Sequence, residues 1–264
     1  MARGEKLGCF ALTEGHGGSD PGRMRTRARR DGSDWRIDGA KLWITNGALA
    51  DVAIVWAATD EGIKAFLVEK DARGFESHVV KNKLSLRASS TAELKLTDVR
   101  VPEGARLPQA NGLKAALRCL DEARFGISWG ACGAARACIE TVLSYTQSRE
   151  LFGRPLSHTQ LIQTRLADAV RQLTAAQVMA WRLAKLKDSG AARTPQISLA
   201  KWHNVRAALD IARECRDMLG AAGITLDHSP MRHMLNLETV NTYEGTESIH
   251  ELVVGRELTG HSAF

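Results

Sequence analysis

The sequence predicts an α+β chain: a β-barrel-like antiparallel sheet domain over residues 1–110, then an antiparallel α-helical bundle over residues 111–264. Three observations carry this. Before residue 110, apolar and polar side chains alternate at the two-residue period of strands. Beyond it, apolar positions recur at spacings of three and four, the period of a helix with one buried stripe. Pro102 and Pro108 stand where the period changes, so a linker is expected there.

In the first half, Trp35-Arg36-Ile37-Asp38-Gly39 alternates and ends on Asp-Gly, a turn signal. The β-rich runs 51–57 (DVAIVWA) and 63–68 (IKAFLV) flank Asp60-Glu61-Gly62, a predicted hairpin loop. Ala92, Leu94 and Leu96 alternate, and after a turn expected at Asp98 so do Val99 and Val101. The densest basic stretch, 23–30 (RMRTRARR), alternates as a strand with a solvated basic face would.

In the second half, residues 113–147 form a first predicted helix. Ile162, Leu166, Val170, Leu173, Ala180 and Leu183 mark a second, stopped by Asp188-Ser189-Gly190. Thr194-Pro195 opens a third with Thr194 as N-cap, running through Leu199, Val205, Leu209 and Ile211 to about Leu219, with Gly220 beyond its end. Two shorter helices are expected at 234–241 and 248–258.

The chain has 264 residues, 44% apolar and 25% charged, which excludes a disordered polar chain. Lys and Arg number 36 against 30 Asp and Glu, a net charge of +6. This surplus is small and interrupted by acids, so nucleic-acid binding is the lesser reading. No apolar run reaches membrane-spanning length, and Met1 to Lys6 carry no apolar targeting segment. The expectation is a soluble protein of a reducing compartment, cytoplasmic in a bacterium or in the matrix of a mitochondrion. Five irregularly spaced cysteines (Cys9, Cys119, Cys132, Cys138, Cys215) are read as buried free thiols, and no metal site is assigned.

Three segments carry possible chemistry. In 10–20 (FALTEGHGGSD), glycines follow an apolar run. Small residues there let backbone N–H groups approach a phosphate, though by itself the segment reads first as a plain glycine-rich turn. In 41–47 (KLWITNG), Trp43 and Thr45 share one face of a strand and could wall an aromatic ring, or be core. In 241–247 (NTYEGTE), Glu244 stands at a break between helices, where a carboxylate can act as a base or cap the last helix.

Taken together these segments resemble the flavin-dependent acyl-CoA dehydrogenase family. The matching strings run in order along the whole chain: GCFALTEGHGGSD at 8–20, WITN at 43–46, SLRAS at 85–89, ARFGISWG at 123–130, RELFGRPL at 149–156, QLIQ at 160–163, ALDIARECRDMLG at 208–220 and NTYEGTESIHELVVGRELTG at 241–260. They are most similar to the members that oxidise glutaryl-CoA. The resemblance implies an FAD enzyme and assigns its residues. Phe10, Leu12, Thr13, Gly18 and Ser19 would line the flavin, and Trp43, Ile44 and Thr45 would cover its ring. Arg149 and Gln160 would reach the FAD of a neighbouring subunit, which implies a homodimer or homotetramer. Asp217, Met218, Leu219, Gly220 and Ala221 would hold the adenosine, and Thr246 and Phe264 would add flavin contacts. Ser19, Leu117, Leu120, Asp121, Arg124 and Gly245 would meet the acyl-CoA.

The resemblance makes Glu244 the catalytic base. It would take the α-proton of the thioester while a hydride leaves the β-carbon; in the glutaryl-oxidising members CO2 is then lost to give crotonyl-CoA. Electron-transfer flavoprotein is the implied electron acceptor. Two differences are visible. The adenosine turn reads Gly220-Ala221-Ala222-Gly223 where an asparagine is usual, and His16-Gly17 replaces a small polar pair. The matched strings begin after a helical N-terminal domain that family members carry, which in the glutaryl-oxidising ones holds the arginine for the distal carboxylate. Two other readings remain: a non-catalytic relative of the same fold that binds nucleic acid, and a subunit needing a partner chain.

Overall fold

The computed structural model describes residues Met1 to Ala263. Phe264 lies outside the described residues. Contacts divide the chain into two compact units, residues 1–83 with 87–119, and residues 84–86 with 120–264.

The first unit is a mixed sheet of eight strands: β1 (Gly8–Ala11), β2 (Arg27–Asp31), β3 (Asp34–Thr45), β4 (Val52–Thr59), β5 (Gly62–Glu69), β6 (Phe75–Val79), β7 (Thr91–Pro102) and β8 (Arg106–Asn111). The hydrogen-bonded path runs β6-β7-β3-β2-β4-β5-β8, with β1 added beside β4. Most pairings are antiparallel as expected, but β1 and β2 each pair with β4 in parallel. No pairing joins β6 to β8 among the described residues, so the path stays open. The inward positions of the alternating runs form one core: Trp35, Ile37, Val55, Phe66, Val68, Leu94, Val99 and Val101 are all under 5% exposed. On β2 only Ala28 turns inward, and Arg27, Arg29 and Arg30 lie in solvent.

Three sequence expectations are corrected here. Asp38-Gly39 is not a turn. The strand runs through it, with a register shift against β7 between Ile37 and Gly39. Gly39 is required because a Cβ there would sit 2.5 Å from the Thr26 hydroxyl. Asp98 likewise does not end its strand: it takes φ 52° at the same bulge, where its N–H donates to the Asp38 carboxylate at 2.8 Å. Pro108 lies within β8 rather than in a linker, tolerated because β8 ends the sheet and needs no further donor on that side.

The second unit takes its helices from α1 (Leu113–Ser148), α2 (Gln160–Asp188), α3 (Thr194–Met218), α4 (Pro230–Thr242) and α5 (Glu247–Thr259). A two-stranded ribbon, β9 (Glu150–Leu151) with β10 (Arg154–Pro155), turns the chain between α1 and α2. α3 is central and packs on α2, α4 and α5. Its core side chains Val205, Ala208, Leu209, Ile211, Ala212 and Cys215 meet Cys138 and Val142 of α1, Ala169 and Leu173 of α2, and Leu237 of α4. Asn204 stitches this core, its amide donating to the carbonyls of Ser128 and Ala176 at 3.1 and 2.9 Å. Two further readings are corrected. The N-cap of α3 is Arg193, whose N–H donates to the Gln196 side chain, while the Thr194 hydroxyl donates to Asp121 at 2.6 Å. Cys119 is exposed, whereas the other four cysteines are buried. No helix among the described residues is long and apolar enough to cross a membrane.

One glycine tests the sheet. Gly74 has φ 87°, and a Cβ on it would collide with the Thr97 carbonyl oxygen. Gly62, at φ 93°, faces open space. Gly74→Ala should cost about 2 kcal/mol or more by adding a backbone clash to the strain. Gly62→Ala should cost about 1 kcal/mol, from strain alone. Equal denaturation midpoints for the two variants would contradict this packing.

Candidate active site

In the sheet unit the glycine-rich turn is anchored by a buried ion pair. Lys41, on β3, is 0% exposed, and its ammonium donates to the Leu12 carbonyl at 3.0 Å and to Glu14 Oε1 at 2.9 Å. Glu14, 5% exposed, also accepts from the N–H groups of Arg25 and Thr26 at 2.6 and 3.0 Å. Burial alone would push this carboxyl up; the donors around it outweigh burial and hold it at about 2. The Lys41 ammonium shifts downward as well, because full burial outweighs the attraction of Glu14. The Leu42 N–H closes the arrangement on the Thr13 carbonyl at 2.9 Å.

Next to this anchor, β3 bulges between Lys41 and Ile44, and Trp43 takes φ 64°. A left-handed bulky residue costs about 1 to 3 kcal/mol and persists only where its surroundings impose it. Here the inward positions impose it: Lys41 and Ile44 are both buried, which leaves Trp43 57% exposed and Thr45 exposed beside it. Ile44 and Leu12 have core side chains, so what they offer a ligand is backbone. Phe10 is half-buried against Trp56, while Gly18 and Ser19 are exposed on the turn and Thr13 is half-buried at its start. Leu117, on the first turns of α1, is also exposed.

In the helical unit the centre is the turn from α4 to α5. α4 ends at Thr242; Glu244 then takes φ 55° and Gly245 φ 94°. Two cations hold this turn by its carbonyls. Arg124, on α1 and 6% exposed, donates from Nε to the Glu244 carbonyl at 2.8 Å and from Nη1 to Asp121 at 3.1 Å. Lys201, on α3, donates to the carbonyls of Gly245 and Tyr243 at 2.8 and 3.1 Å, and to Asn241 at 3.5 Å. Burial draws the Lys201 ammonium down to about 8, with Arg124 adding repulsion. The Glu244 carboxyl is raised by burial, against the pull of Arg124 and Lys201, and its Oε2 is buried with no hydrogen-bond partner among the described residues. No backbone carbonyl among the described residues accepts the N–H of Glu244, Gly245 or Thr246.

α5 completes the turn. Thr246 is its N-cap, accepting from the Ile249 N–H at 3.3 Å, so the cap is the threonine and Glu244 is free of that task. Glu247 accepts from Trp202 and Asn241, each at 3.1 Å. His250 is 0% exposed and packs on the turn, and a Cβ on Gly245 would lie 2.9 Å from its Cε1. Neither ring nitrogen has a partner of good hydrogen-bond geometry among the described residues, although the ring leans on the backbone of Glu244 and Gly245. Burial, then Lys201 and Arg124, lower it to about 3, so it is neutral. Beside Tyr243 opens a cavity of about 260 Å³. Ile127, Ala131, Ala134, Leu237 and Val240 give it apolar lining, and His233 and Asn236 line it as well.

The structure thus gathers Glu244, Gly245, Thr246, Asp121 and Arg124 at one turn. Leu120 lies half-buried on the same stretch of α1. Elsewhere in this unit Arg149 and Gln160 are exposed at the two ends of the segment holding the β9–β10 ribbon. Asp217 is exposed and bonded to Arg165 at 2.8 Å; Met218 and Leu219 are core; Gly220, with φ 60°, and Ala221 start a short 3-10 turn. Sequence reasoning missed Lys201 and His250. The available signal was a charged or titratable residue on an apolar stripe, as Lys201 is between Ile197 and Val205.

A neutral amide at position 14 would leave the Lys41 ammonium buried without its counter-ion. Glu14→Gln should lower stability by about 3 to 5 kcal/mol in chemical denaturation. Glu14 is depressed in the folded state, so its contribution is present above the ordinary glutamate value and lost as pH falls toward about 2. The wild type should therefore weaken between about pH 4.5 and 2 more steeply than the variant. Parallel stability curves would show that the pair does not hold the turn.

Residues 9–99 match the family model for the acyl-CoA dehydrogenase middle domain, and residues 110–259 the model for the acyl-CoA dehydrogenase C-terminal domain. The chain is 39% identical to the mitochondrial short-chain specific acyl-CoA dehydrogenase of Bos taurus, over 97% of this chain and 63% of that protein's length. A glutaryl-CoA dehydrogenase from Mycobacterium smegmatis in complex with FADH2 superposes with a TM-score of 0.98 and 57% identity, over 100% of this chain and 68% of its own. Butyryl-CoA dehydrogenase from Megasphaera elsdenii superposes with a TM-score of 0.92 and 33% identity, over 96% of this chain and 68% of its own. With both domain models matched in order over most of its length, the chain belongs to the acyl-CoA dehydrogenase family.

Proposed function

We propose that this chain carries the flavin-contacting and base-carrying parts of an FAD-dependent acyl-CoA dehydrogenase acting on glutaryl-CoA. The observation that carries the reading is Glu244: a carboxyl raised by burial, with one oxygen unpartnered among the described residues, on a left-handed turn gripped by two cations. Such a group is a stronger base than a solvated carboxylate. The residues present suit FAD. Trp43 and Thr45 are held exposed by a strained bulge, as an aromatic ring needs, and the turn 15–20 offers exposed glycines and Ser19 for phosphate. Phe10, Thr13, Gly18, Asp217 to Ala221, Thr246 and Phe264 are assigned to the same cofactor on resemblance, and Arg149 and Gln160 to a neighbouring subunit's. Bound FAD would supply the acceptor for the hydride that leaves the β-carbon.

Glu244 takes the α-proton. The α-proton of a thioester is too weakly acidic for a carboxylate in water, so the thioester oxygen needs donors as negative charge develops. The N–H groups of Glu244, Gly245 and Thr246 have no backbone acceptor among the described residues and are available for that purpose. Ser19, Leu117, Leu120, Asp121 and Arg124 are assigned to the remainder of the acyl-CoA. The cavity beside Tyr243, largely apolar with His233 and Asn236 in its lining, suits a short acyl chain with a polar group. After oxidation, loss of the distal carboxylate as CO2 leaves a dienolate that Glu244, now protonated, reprotonates to crotonyl-CoA. Electron-transfer flavoprotein as acceptor and a homo-oligomeric assembly complete the proposal.

The second reading, a short-chain acyl-CoA dehydrogenase without decarboxylation, draws on the bovine and Megasphaera relatives. The FAD-loaded protein separates the two. Glutaryl-CoA should bleach the flavin anaerobically faster than butyryl-CoA and release CO2; preference for butyryl-CoA with no CO2 would move the chain to the second reading.

Glu244→Gln keeps the shape and removes the base. Bleaching should fall by about 10³-fold while FAD stays bound. Bleaching at the wild-type rate would take Glu244 out of the mechanism.

A further inference from the structure

The Lys201 ammonium, 1% exposed on α3, is the deepest charge under the α4–α5 turn. Its three oxygen partners are carbonyls of a single stretch: Gly245 at 2.8 Å, Tyr243 at 3.1 Å and Asn241 at 3.5 Å. In a trans peptide the N–H points opposite to the carbonyl. Turning the Tyr243 and Gly245 carbonyls toward Lys201 therefore turns the N–H groups of Glu244 and Thr246 away from it. Arg124 does the same to the Gly245 N–H by binding the Glu244 carbonyl. Each of these three successive N–H groups is thereby turned away from the cation that binds the carbonyl of its own peptide, and Glu244 is held in its left-handed conformation.

We propose that Lys201 is a positioning residue for Glu244: its ammonium fixes the peptide orientations of the 243–246 turn and supplies part of the positive field in which the Glu244 carboxyl ionises. The inference rests on Glu244 being the base. An uncharged side chain of similar volume in that place would leave the part-buried Tyr243 and Gly245 carbonyls without the Lys201 donor, and such groups re-orient or hydrate. No neighbour can take over. Arg124 on α1 is committed to the Glu244 carbonyl and Asp121. His250 on α5 is neutral and sits too close to Gly245 for any side chain there. Glu247 on α5 is engaged by Trp202 and Asn241. The charged and titratable groups facing Lys201 are thus Arg124, Glu244, Glu247 and His250. Among them Glu244 is the carboxyl with an oxygen buried and without a hydrogen-bond partner among the described residues.

The test needs neither FAD nor substrate. In protein carrying ¹³C-labelled glutamate carboxyls, the Glu244 resonance is assigned by its loss in Glu244→Gln and titrated. Lys201→Met should raise the Glu244 midpoint by about one pH unit or more, as loss of a nearby opposite charge does. Lys201→Arg, which keeps the charge, should move it by less than half as much. Amide hydrogen exchange at 244–246 should quicken by about tenfold in Lys201→Met. An unmoved Glu244 titration in folded Lys201→Met would overturn the proposal, because a purely structural lysine would alter stability without altering that midpoint. If Lys201→Met does not fold, the wild type decides. The Lys201 Cε resonance is titrated through about pH 8, and the amides of Glu244, Gly245 and Thr246 should shift with the same midpoint. Amides that ignore the lysine would equally overturn it. Failure of Glu244 as the base would show only in flavin bleaching, which neither titration uses.

Discussion

An ammonium group that leaves water must find oxygen atoms, and each compact unit of this chain places its site segment around one that has. Lys41 takes the Leu12 carbonyl and the Glu14 carboxylate and so ties the glycine-rich turn to β3. Lys201 takes carbonyls from the α4–α5 turn and so ties Glu244 to α3. In both cases the lysine lies on a long, well-packed element and its oxygens come from an irregular one. The regular element supplies rigidity, and the buried charge transmits it: the loop cannot move without leaving the ammonium unsatisfied.

This explains how two unfavourable backbone conformations persist where chemistry is expected. Trp43 and Glu244 both sit in the left-handed region, at about 1 to 3 kcal/mol each. Trp43 is forced there by the burial of Lys41 and Ile44 on either side of the bulge. Glu244 is held there by Arg124 and Lys201 pulling on neighbouring carbonyls. In one unit the strain holds an indole out in solvent; in the other it holds a carboxyl whose Oε2 is buried without a hydrogen-bond partner among the described residues. The same forces keep His250 neutral against Gly245, which limits position 245 to a residue without a side chain.

The order of sheet and bundle was legible from periodicity because core stripes repeat at strand and helix spacing, as Leu94, Leu96, Leu173 and Leu209 do. Local turn signals misled where tertiary contacts set the role of a residue. Gly39 reads as a turn glycine but answers to Thr26 across the sheet, and Asp98 reads as a turn but caps a bulge opposite Asp38. Glu244 stood out by its place between helices, yet only similarity of strings gave it a role. Lys201 was passed over because periodicity reasoning treats a charge on an apolar stripe as an interruption. Its partners are backbone carbonyls some 40 residues away, which no side-chain pattern encodes.

The segment 84–86 belongs with the helical unit although the chain on both sides of it belongs with the sheet. It is held there by Asn236, whose side chain accepts from the Leu86 N–H at 2.8 Å, and by Thr239, whose hydroxyl meets Ser85 at 2.5 Å. These contacts close a loop of about 150 residues, so the helical unit cannot be completed until α4 has been synthesised and brought back to a segment made long before. On the ribosome the sheet could pair its strands early, while its excursion at 84–86 would wait unpaired. Folding is therefore non-vectorial at this point, and no single cut of the chain would yield both units whole.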